Sequence, residues 1–194
     1  MATASWVRSA TARWRKARCC HGGSREALAQ TGRRFVAVAA GDSHALALTE
    51  EGELYGWGSW CANGHRSEAQ TPRRVAALIG ERVKFVGARN YASCAVTEKG
   101  ELFTWSINGS MHHLGHGVNT LQATPKRVEA LVGARVAAVA IGRWHSLAAD
   151  EDGVVWAFGN RLALGLDDPN PENPRFVETP SPIPTLRVRA LRSP

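Results

Sequence analysis

Three histidines, His112, His113 and His116, lie within five residues of one another and are potential metal ligands. A structural zinc site usually takes four ligands and draws on cysteine or carboxylate as well as histidine. No Cys, Asp or Glu lies in this segment to complete such a set. We therefore predict no metal site here and expect the three histidines to belong to a structural loop.

Two further histidines, His44 and His145, each follow a turn that begins with glycine. A general base would need a nucleophile and an orienting acid, for which Ser43 or Ser146 with Asp42 are the available residues. The histidine recurs in two similar segments, and a recurring motif favours a structural hydrogen bond over a catalytic role. We predict no catalytic residue and no cofactor site, and the chain is not expected to be an enzyme.

The four cysteines are Cys19, Cys20, Cys61 and Cys94. None of them forms a CxxC pair, and their spacing gives no disulfide framework. This pattern favours a reduced intracellular compartment.

The net charge of +7 is unevenly distributed. Residues 1–34 contain eight basic residues and one acid, whereas residues 35–194 contain sixteen of each. Binding to nucleic acid depends on an excess of positive charge along a surface. We therefore predict no nucleic acid contact for the body of the chain.

Residues 1–33 form a basic leader that is rich in Arg, Ala, Ser and Thr. Its composition predicts a disordered or targeting segment, and a mitochondrial transit peptide is one alternative. Otherwise a cytoplasmic or nuclear location is expected. Deletion of residues 1–32 is expected to leave the thermal midpoint nearly unchanged. Apolar runs are short throughout, so no membrane contact is predicted.

The rest of the chain repeats itself three times. The similar segments read RFVAVAAGDSHALALTEEGELYGWG, RVKFVGARNYASCAVTEKGELFTWS and RVAAVAIGRWHSLAADEDGVVWAFG, and they begin at Arg34, Arg82 and Arg135. The offsets between them are 48 and 53 residues. A period of this length is typical of propeller blades.

Each unit predicts four strands. Two apolar strands are followed by an acidic turn with glycine, which supplies the positive φ of a tight hairpin, and then by an aromatic third strand. The fourth strand begins with proline at residues 72–78 and 125–131, which suits an edge position. A third version at residues 187–191 follows a connecting loop that is rich in proline.

The sequence therefore predicts an all-β fold of about three four-stranded antiparallel β-propeller blades in an incomplete ring. The repeats extend over about residues 34–81, 82–134 and 135–194. Trp57, Trp105 and Trp156 are expected to fill the blade cores, because aromatic side chains dominate buried sheet faces.

The motifs resemble the repeat of the regulator of chromosome condensation family. The shared pattern is Gly-x-x-His, then a hairpin glycine, then an aromatic strand ending in Gly, then a Leu-Gly loop that includes the segment from His113 to Gly117. The residues that carry it are Gly41, His44, Gly52, Trp57, Gly58, Gly100, Trp105, Gly115, Gly142, His145, Gly153, Phe158, Gly159 and Gly165.

This resemblance implies a protein-interaction scaffold with protein partners and no cofactor. It also implies an alternative, guanine-nucleotide exchange on a small GTPase of the Ran type. The family propeller is similar to a closed ring of seven blades, and this chain encodes three. An open arc has two free faces, and the chain is therefore expected to self-associate. The expected exposed rows are Val36, Val38, Leu46 and Leu48 in the first unit, and Leu147 and Val155 in the third.

Overall fold

The computed structural model describes residues 23–58, 63–65, 67–106, 112–117, 121–165 and 175–188. These residues form one α-helix, α1 (Gly23–Gln30), followed by twelve strands. Among them no helix is both long and apolar enough to cross a membrane.

The strands form three antiparallel sheets of four. Blade 1 consists of β1 (Phe35–Ala40), β2 (His44–Thr49), β3 (Leu54–Gly58) and β4 (Ala69–Arg74). Blade 2 consists of β5 (Val83–Arg89), β6 (Ala92–Thr97), β7 (Leu102–Ser106) and β8 (Gln122–Arg127). Blade 3 consists of β9 (Val136–Ile141), β10 (His145–Asp150), β11 (Val154–Asn160) and β12 (Phe176–Arg187). The predicted all-β fold is confirmed.

Short 3-10 helices follow the strands in several connections. In the described residues they lie at Ala76–Leu78, His112–Leu114, Glu129–Leu131 and Leu162–Leu164. Leu78 and Leu131 are equivalent in blades 1 and 2, and both are buried. Each of these two helices therefore fixes the connection that leads to the next blade.

The glycine in each β2–β3-type hairpin serves two purposes. Gly52, Gly100 and Gly153 have φ of 84°, 81° and 81°, which favours glycine over other residues. A Cβ on Gly100 would also lie 2.8 Å from the Cα atom of Arg135, at the start of blade 3. Glycine is thus needed both for the turn and for the close approach of the next blade.

The fourth strands correct two expectations. Pro72 and Pro125 lie within β4 and β8 and not at their first residue, although both strands are edge strands as predicted. Residues Phe176–Arg187 of the proline-rich segment of unit three form a strand, β12, and not a loop, and Pro169, Pro171 and Pro174 lie outside the described residues. Proline is tolerated in an edge strand because the main-chain N–H groups on its outer side have no neighbouring strand to donate to, so the N–H that proline lacks is not needed there.

The register identifies the true third copy of the fourth strand. Tyr55 pairs with Arg74, Phe103 with Arg127 and Trp156 with Pro182. These pairs align TPRRV at residues 71–75 and TPKRV at 124–128 with TPSPI at residues 179–183. The match of residues 187–191 to this strand was wrong, because strand pairing and not composition defines the equivalence.

Two apolar clusters hold the blades together. The first joins Leu46, Leu48 and Leu54 of blade 1 to Trp105 of blade 2. The second joins Val96 and Leu102 of blade 2 to Val136 and Phe158 of blade 3. The sheets therefore stack face to face, and the core lies between the blades.

The face of blade 1 that points away from blade 2 is covered by α1. Leu28 is buried in a cluster with Ala45, Ala47, Trp57 and Ala69. The expectation that residues 1–33 are disordered is therefore wrong for residues 23–30, because an apolar contact fixes this helix. The same contact contradicts the expectation that deletion of residues 1–32 leaves the thermal midpoint nearly unchanged. A targeting role of the leader stays a prediction. Residues 1–22 lie outside the described residues.

The predicted exposed rows also need correction. Leu46 and Leu48 are buried against blade 2, and Val155 is buried as well. Val36 is exposed, Val38 is half-buried near α1, and Leu147 is half-buried in blade 3. For Leu46 and Leu48 the error lies in assigning them to the outer face of blade 1, whereas they face blade 2.

Substitution of Leu28 by alanine should lower the free energy of unfolding by about 2 kcal/mol, because the side chain fills the contact between α1 and blade 1. Urea unfolding followed by circular dichroism measures the change. Gln30→Ala on the same helix is the matched control, since Gln30 is exposed, and should change stability by less than about 0.5 kcal/mol. Equal stability of the two variants would show that α1 does not cap the blade.

Candidate interaction surface

The two ends of the blades differ in character. In each blade, the turn between the first and second strands and the loop between the third and fourth strands lie at one end, which we call the loop end. The hairpin between the second and third strands lies at the opposite end, together with the connection to the next blade. We call this end the hairpin end. Loops on a rigid sheet scaffold are the usual site of recognition.

Ion pairs recur at the hairpin end. Arg34 pairs with Glu50 at 3.3 Å, Arg82 with Glu98 at 3.2 Å and Arg135 with Glu151 at 2.6 Å. Further pairs at this end join Arg74 to Glu53, Lys99 to Glu81, and Arg127 to Glu101 and Glu129. The hydrogen bond from Arg135 lowers the pKa of the Glu151 carboxyl. Such exposed pairs contribute little stability, but they leave this end locally neutral.

The loop end exposes aromatic and arginine side chains. Tyr91 and Trp144 are 37% and 48% exposed and occupy equivalent turn positions in blades 2 and 3. The Arg143 guanidinium carbon lies 5.1 Å from the centre of the Trp144 ring, a cation–π distance. Arg89 and Arg143 are exposed in the same turns. We call Arg89, Tyr91, Arg143 and Trp144 the loop-end patch.

His44 makes a hydrogen bond between blades. It is the first residue of β2, fully buried, and its Nε2 atom lies 2.7 Å from the Oγ atom of Ser93 in blade 2. Burial lowers the pKa of His44 to about 4, so the ring is neutral at pH 7. Its Nδ1 atom has no hydrogen-bond partner among the described residues. The ring therefore lacks the orienting acid of a triad and joins two blades.

The other residues considered for catalysis are separated. Ser146 donates a hydrogen bond of 3.0 Å to the main-chain oxygen of His113 in blade 2. His145 begins β10 and is half-buried, and no ring hydrogen bond of His145 is found within the described ranges. The structure thus brings neither serine to a histidine of its own blade as a triad would require.

The histidine cluster belongs to a loop of blade 2. The Nε2 atom of His116 lies 2.9 Å from the Oγ1 atom of Thr104, and burial lowers the pKa of His116. His113 is buried at the contact with blade 3. In the part of the chain that the structure describes, no three potential ligands are grouped to hold a metal ion.

The one cysteine in the described residues is chemically protected. Cys94 is buried in β6, and burial raises the pKa of its thiol to about 12. The thiolate is the nucleophilic form, so this side chain is unreactive at neutral pH. Cys19, Cys20 and Cys61 lie outside the described residues.

The remaining motif residues lie where the blades touch or turn. Trp57, Trp105 and Phe158 are equivalent, fully buried and point toward the preceding side of each blade. Trp156 is half-buried, packs against the edge of the cluster between blades 2 and 3, and donates a hydrogen bond to Asp150. The fully buried position in blade 3 therefore belongs to Phe158 and not to Trp156. The other motif glycines adopt positive φ at Gly58, Gly115, Gly159 and Gly165, whereas Gly41 and Gly142 lie beside the rings of His44 and His145.

Two family models match this arrangement. Residues 35–64 match a model described as Regulator of chromosome condensation (RCC1) repeat, and residues 99–149 match a second model with the same description. This chain contains RCC1 repeats. The second match extends over the last half of blade 2 and the first half of blade 3, whereas the first match begins with β1 of blade 1.

Relatives with RCC1 repeats are much longer than this chain. The E3 ubiquitin-protein ligase HERC2 of Homo sapiens is 39% identical over 131 residues, which cover 64% of this chain and 3% of HERC2. The ultraviolet-B receptor UVR8 of Arabidopsis thaliana is 33% identical over 166 residues, covering 76% of this chain and 36% of UVR8. The HERC2 match covers only the repeat region, and ligase activity of this chain does not follow from it.

Solved structures show the same fold. Human WBSCR16 superposes with a TM-score of 0.64 at 26% identity, covering 77% of this chain and 38% of that protein. Prp20p from Saccharomyces cerevisiae superposes with a TM-score of 0.64 at 24% identity, covering 83% of this chain and 41% of that protein. Yeast Prp20 has been crystallised bound to Kap60, and its structure is described together with its binding to Gsp1p and histones.

Sequence reasoning missed the loop-end patch and Ser93. Ser43, Tyr91 and Trp144 occupy the same turn position in blades 1, 2 and 3. Two large aromatic residues at a position where blade 1 has serine could have indicated this surface from the sequence. Ser93 gave no signal, because its partner His44 lies in a different blade.

Proposed function

We propose that this chain is a non-catalytic protein-interaction module whose loop-end patch contacts the partner. The observation that carries the proposal is the exposure of Tyr91 and Trp144 beside Arg89 and Arg143. Tyrosine, tryptophan and arginine are enriched among residues that dominate binding energy. The neutral hairpin end offers no comparable group of exposed aromatic side chains in the described residues.

The chemistry of the patch favours an acidic or apolar partner surface. Two exposed arginines would repel basic proteins such as histones, which Prp20p binds. A small GTPase, the class to which Gsp1p belongs, is therefore the better probe. Nucleotide exchange on such a GTPase is the second candidate function, supported by the fold shared with Prp20p.

Trp144→Ala combined with Tyr91→Ala should remove at least about nine-tenths of partner binding, since truncation of central aromatic residues typically costs tenfold or more. Immobilised wild-type chain and variant are compared for the proteins each retains from a cell extract and for binding of purified Ran-type GTPase. Ile79→Ala is the matched control, because Ile79 is an exposed apolar residue at the hairpin end.

Retention of every captured protein by the double variant would contradict the proposed surface. The same GTPase, loaded with a fluorescent nucleotide, separates the two functions. Accelerated release by the wild-type chain, lost in the double variant, would favour exchange over a scaffold role.

A further inference from the structure

The fourth strand of every blade leaves its regular pairing at the same place. In each blade, three residues of the fourth strand lie opposite a single residue of the third strand. These triplets are residues 70–72, 123–125 and 178–180. A bulge of this kind releases the main chain of the bulged residues from the ladder of hydrogen bonds.

A Thr-Pro dipeptide forms the second and third residues of each bulge. The three dipeptides begin at Thr71, Thr124 and Thr179. Proline has no N–H to donate, so it fits a position that has left the ladder. The threonine before it therefore lies in the middle of a bulge on the outer edge of its blade.

The three dipeptides differ in how far they are accessible. Thr71 is exposed, and Pro72 beside it is half-buried. In blade 2 Thr124 is half-buried, and in blades 2 and 3 the prolines, Pro125 and Pro180, are buried. An enzyme that has to contact both the hydroxyl group and the proline ring can therefore reach only the dipeptide of blade 1.

Two arginines follow the dipeptide of blade 1, and both are exposed. Arg73 forms no ion pair with another described residue. Arg74 has an ion pair with Glu53 at 3.0 Å, and such an exposed pair is easily exchanged for another carboxylate. The equivalent Arg127 of blade 2 instead makes three hydrogen bonds to two glutamates. The basic side chains after the dipeptide are thus more available in blade 1.

Blade 3 has no basic residue at the equivalent positions. Ser181 pairs with the third strand where Arg73 does in blade 1, and Pro182 pairs where Arg74 does. Thr179 is exposed, but it lacks both an accessible proline and a following arginine. Only blade 1 combines an exposed threonine, an accessible proline and available arginines.

We propose that Thr71 is a phosphorylation site for a protein kinase that requires proline directly after its target and favours a basic residue three positions after it. The Thr71 Oγ1 atom attacks the γ-phosphorus of ATP held by the kinase. The bond from that phosphorus to the bridging oxygen breaks, ADP leaves, and the hydroxyl proton passes to a base of the kinase.

The phosphate would change the charge of the outer edge of blade 1. It carries a charge of about −1.5 to −2 at pH 7, so it would neutralise the neighbouring Arg73 and Arg74. Thr71 is not part of the loop-end patch, and its modification does not depend on partner binding there.

Purified full-length chain is incubated with a proline-directed serine/threonine kinase and ATP, and phosphate at each threonine is followed over time by mass spectrometry. Phosphate should enter at Thr71 at least about tenfold faster than at Thr124, which has to wait for local opening of its strand. Thr179 should be as slow as Thr124. Arg74→Gln should slow the modification of Thr71 by about tenfold, because the kinase then loses its charged contact.

Two peptides, residues 66–77 and 119–130, provide the matched control. Both contain Thr-Pro, two basic residues and valine, so their rates should agree within about threefold. Equal rates at Thr71 and Thr124 in the folded chain would show that modification follows unfolding, and would overturn the proposal. Absence of phosphate at Thr71 of the folded chain would overturn it as well, whether or not the peptide is modified.

Discussion

Replacement of Trp105 by alanine should lower the free energy of unfolding by about 3–5 kcal/mol. The indole is fully buried in β7 and packs with Leu46, Leu48 and Val86 in the cluster that joins blades 1 and 2. The void left by truncation has apolar walls from two sheets, and neither sheet can close it without shifting the other. Because a domain of this size has a total stability of about 5–15 kcal/mol, much of it depends on this side chain.

Equilibrium unfolding in urea, followed by far-ultraviolet circular dichroism, measures the loss. Trp144→Ala is the matched control, since the same truncation at a half-exposed turn should change stability by about 0.5 kcal/mol or less. If both variants lost the same stability, the contact between blades 1 and 2 would not be the main source of stability.

Acid should weaken the wild-type chain more than a His44→Gln variant. The pKa of His44 is about 4 in the folded chain because burial disfavours the charged ring, whereas the ordinary pKa of a histidine side chain is 6.5. Below pH 6.5 the unfolded chain binds a proton that the folded chain does not, so stability falls as pH falls. The loss attributable to His44 should reach about 3 kcal/mol by pH 4 and grow little below it.

Unfolding free energies at pH 7, 6, 5 and 4 for both proteins isolate this contribution. His116, whose pKa is also lowered by burial, titrates in both and cancels in the difference. Glutamine can still reach Ser93 but cannot titrate, so the two curves should converge toward low pH. Parallel curves across this range would show that His44 is not buried as a neutral ring.

The contacts that connect one blade to the next are made by a few individual residues, and substitution of these residues should lower stability most. Within a blade, the hairpins repeat with similar glycines and similar main-chain bonds, as at Gly52 and Gly100. Between blades, single residues such as His44 and Trp105 connect sheets that are about 50 residues apart in sequence. Substitution at these positions therefore affects two blades at once.

The amino-acid sequence by itself determined the number of blades and the order of their strands. The repeat period, the hairpin glycines and the aromatic third strands fixed three four-stranded units, because each of these signals is local and recurs. It also predicted the start of the second strand at His44 and His145, since the turn before each is set by an adjacent glycine.

Only the tertiary structure decided which face each residue occupies. All six residues of β2 are buried, since both faces of a blade are covered, and the usual alternation of apolar and polar residues is lost. For this reason Leu46 was assigned to the outer face of blade 1, where Ala45 lies instead, covered by α1. The capping of blade 1 by Leu28 depends on a contact between distant segments, which no local pattern encodes.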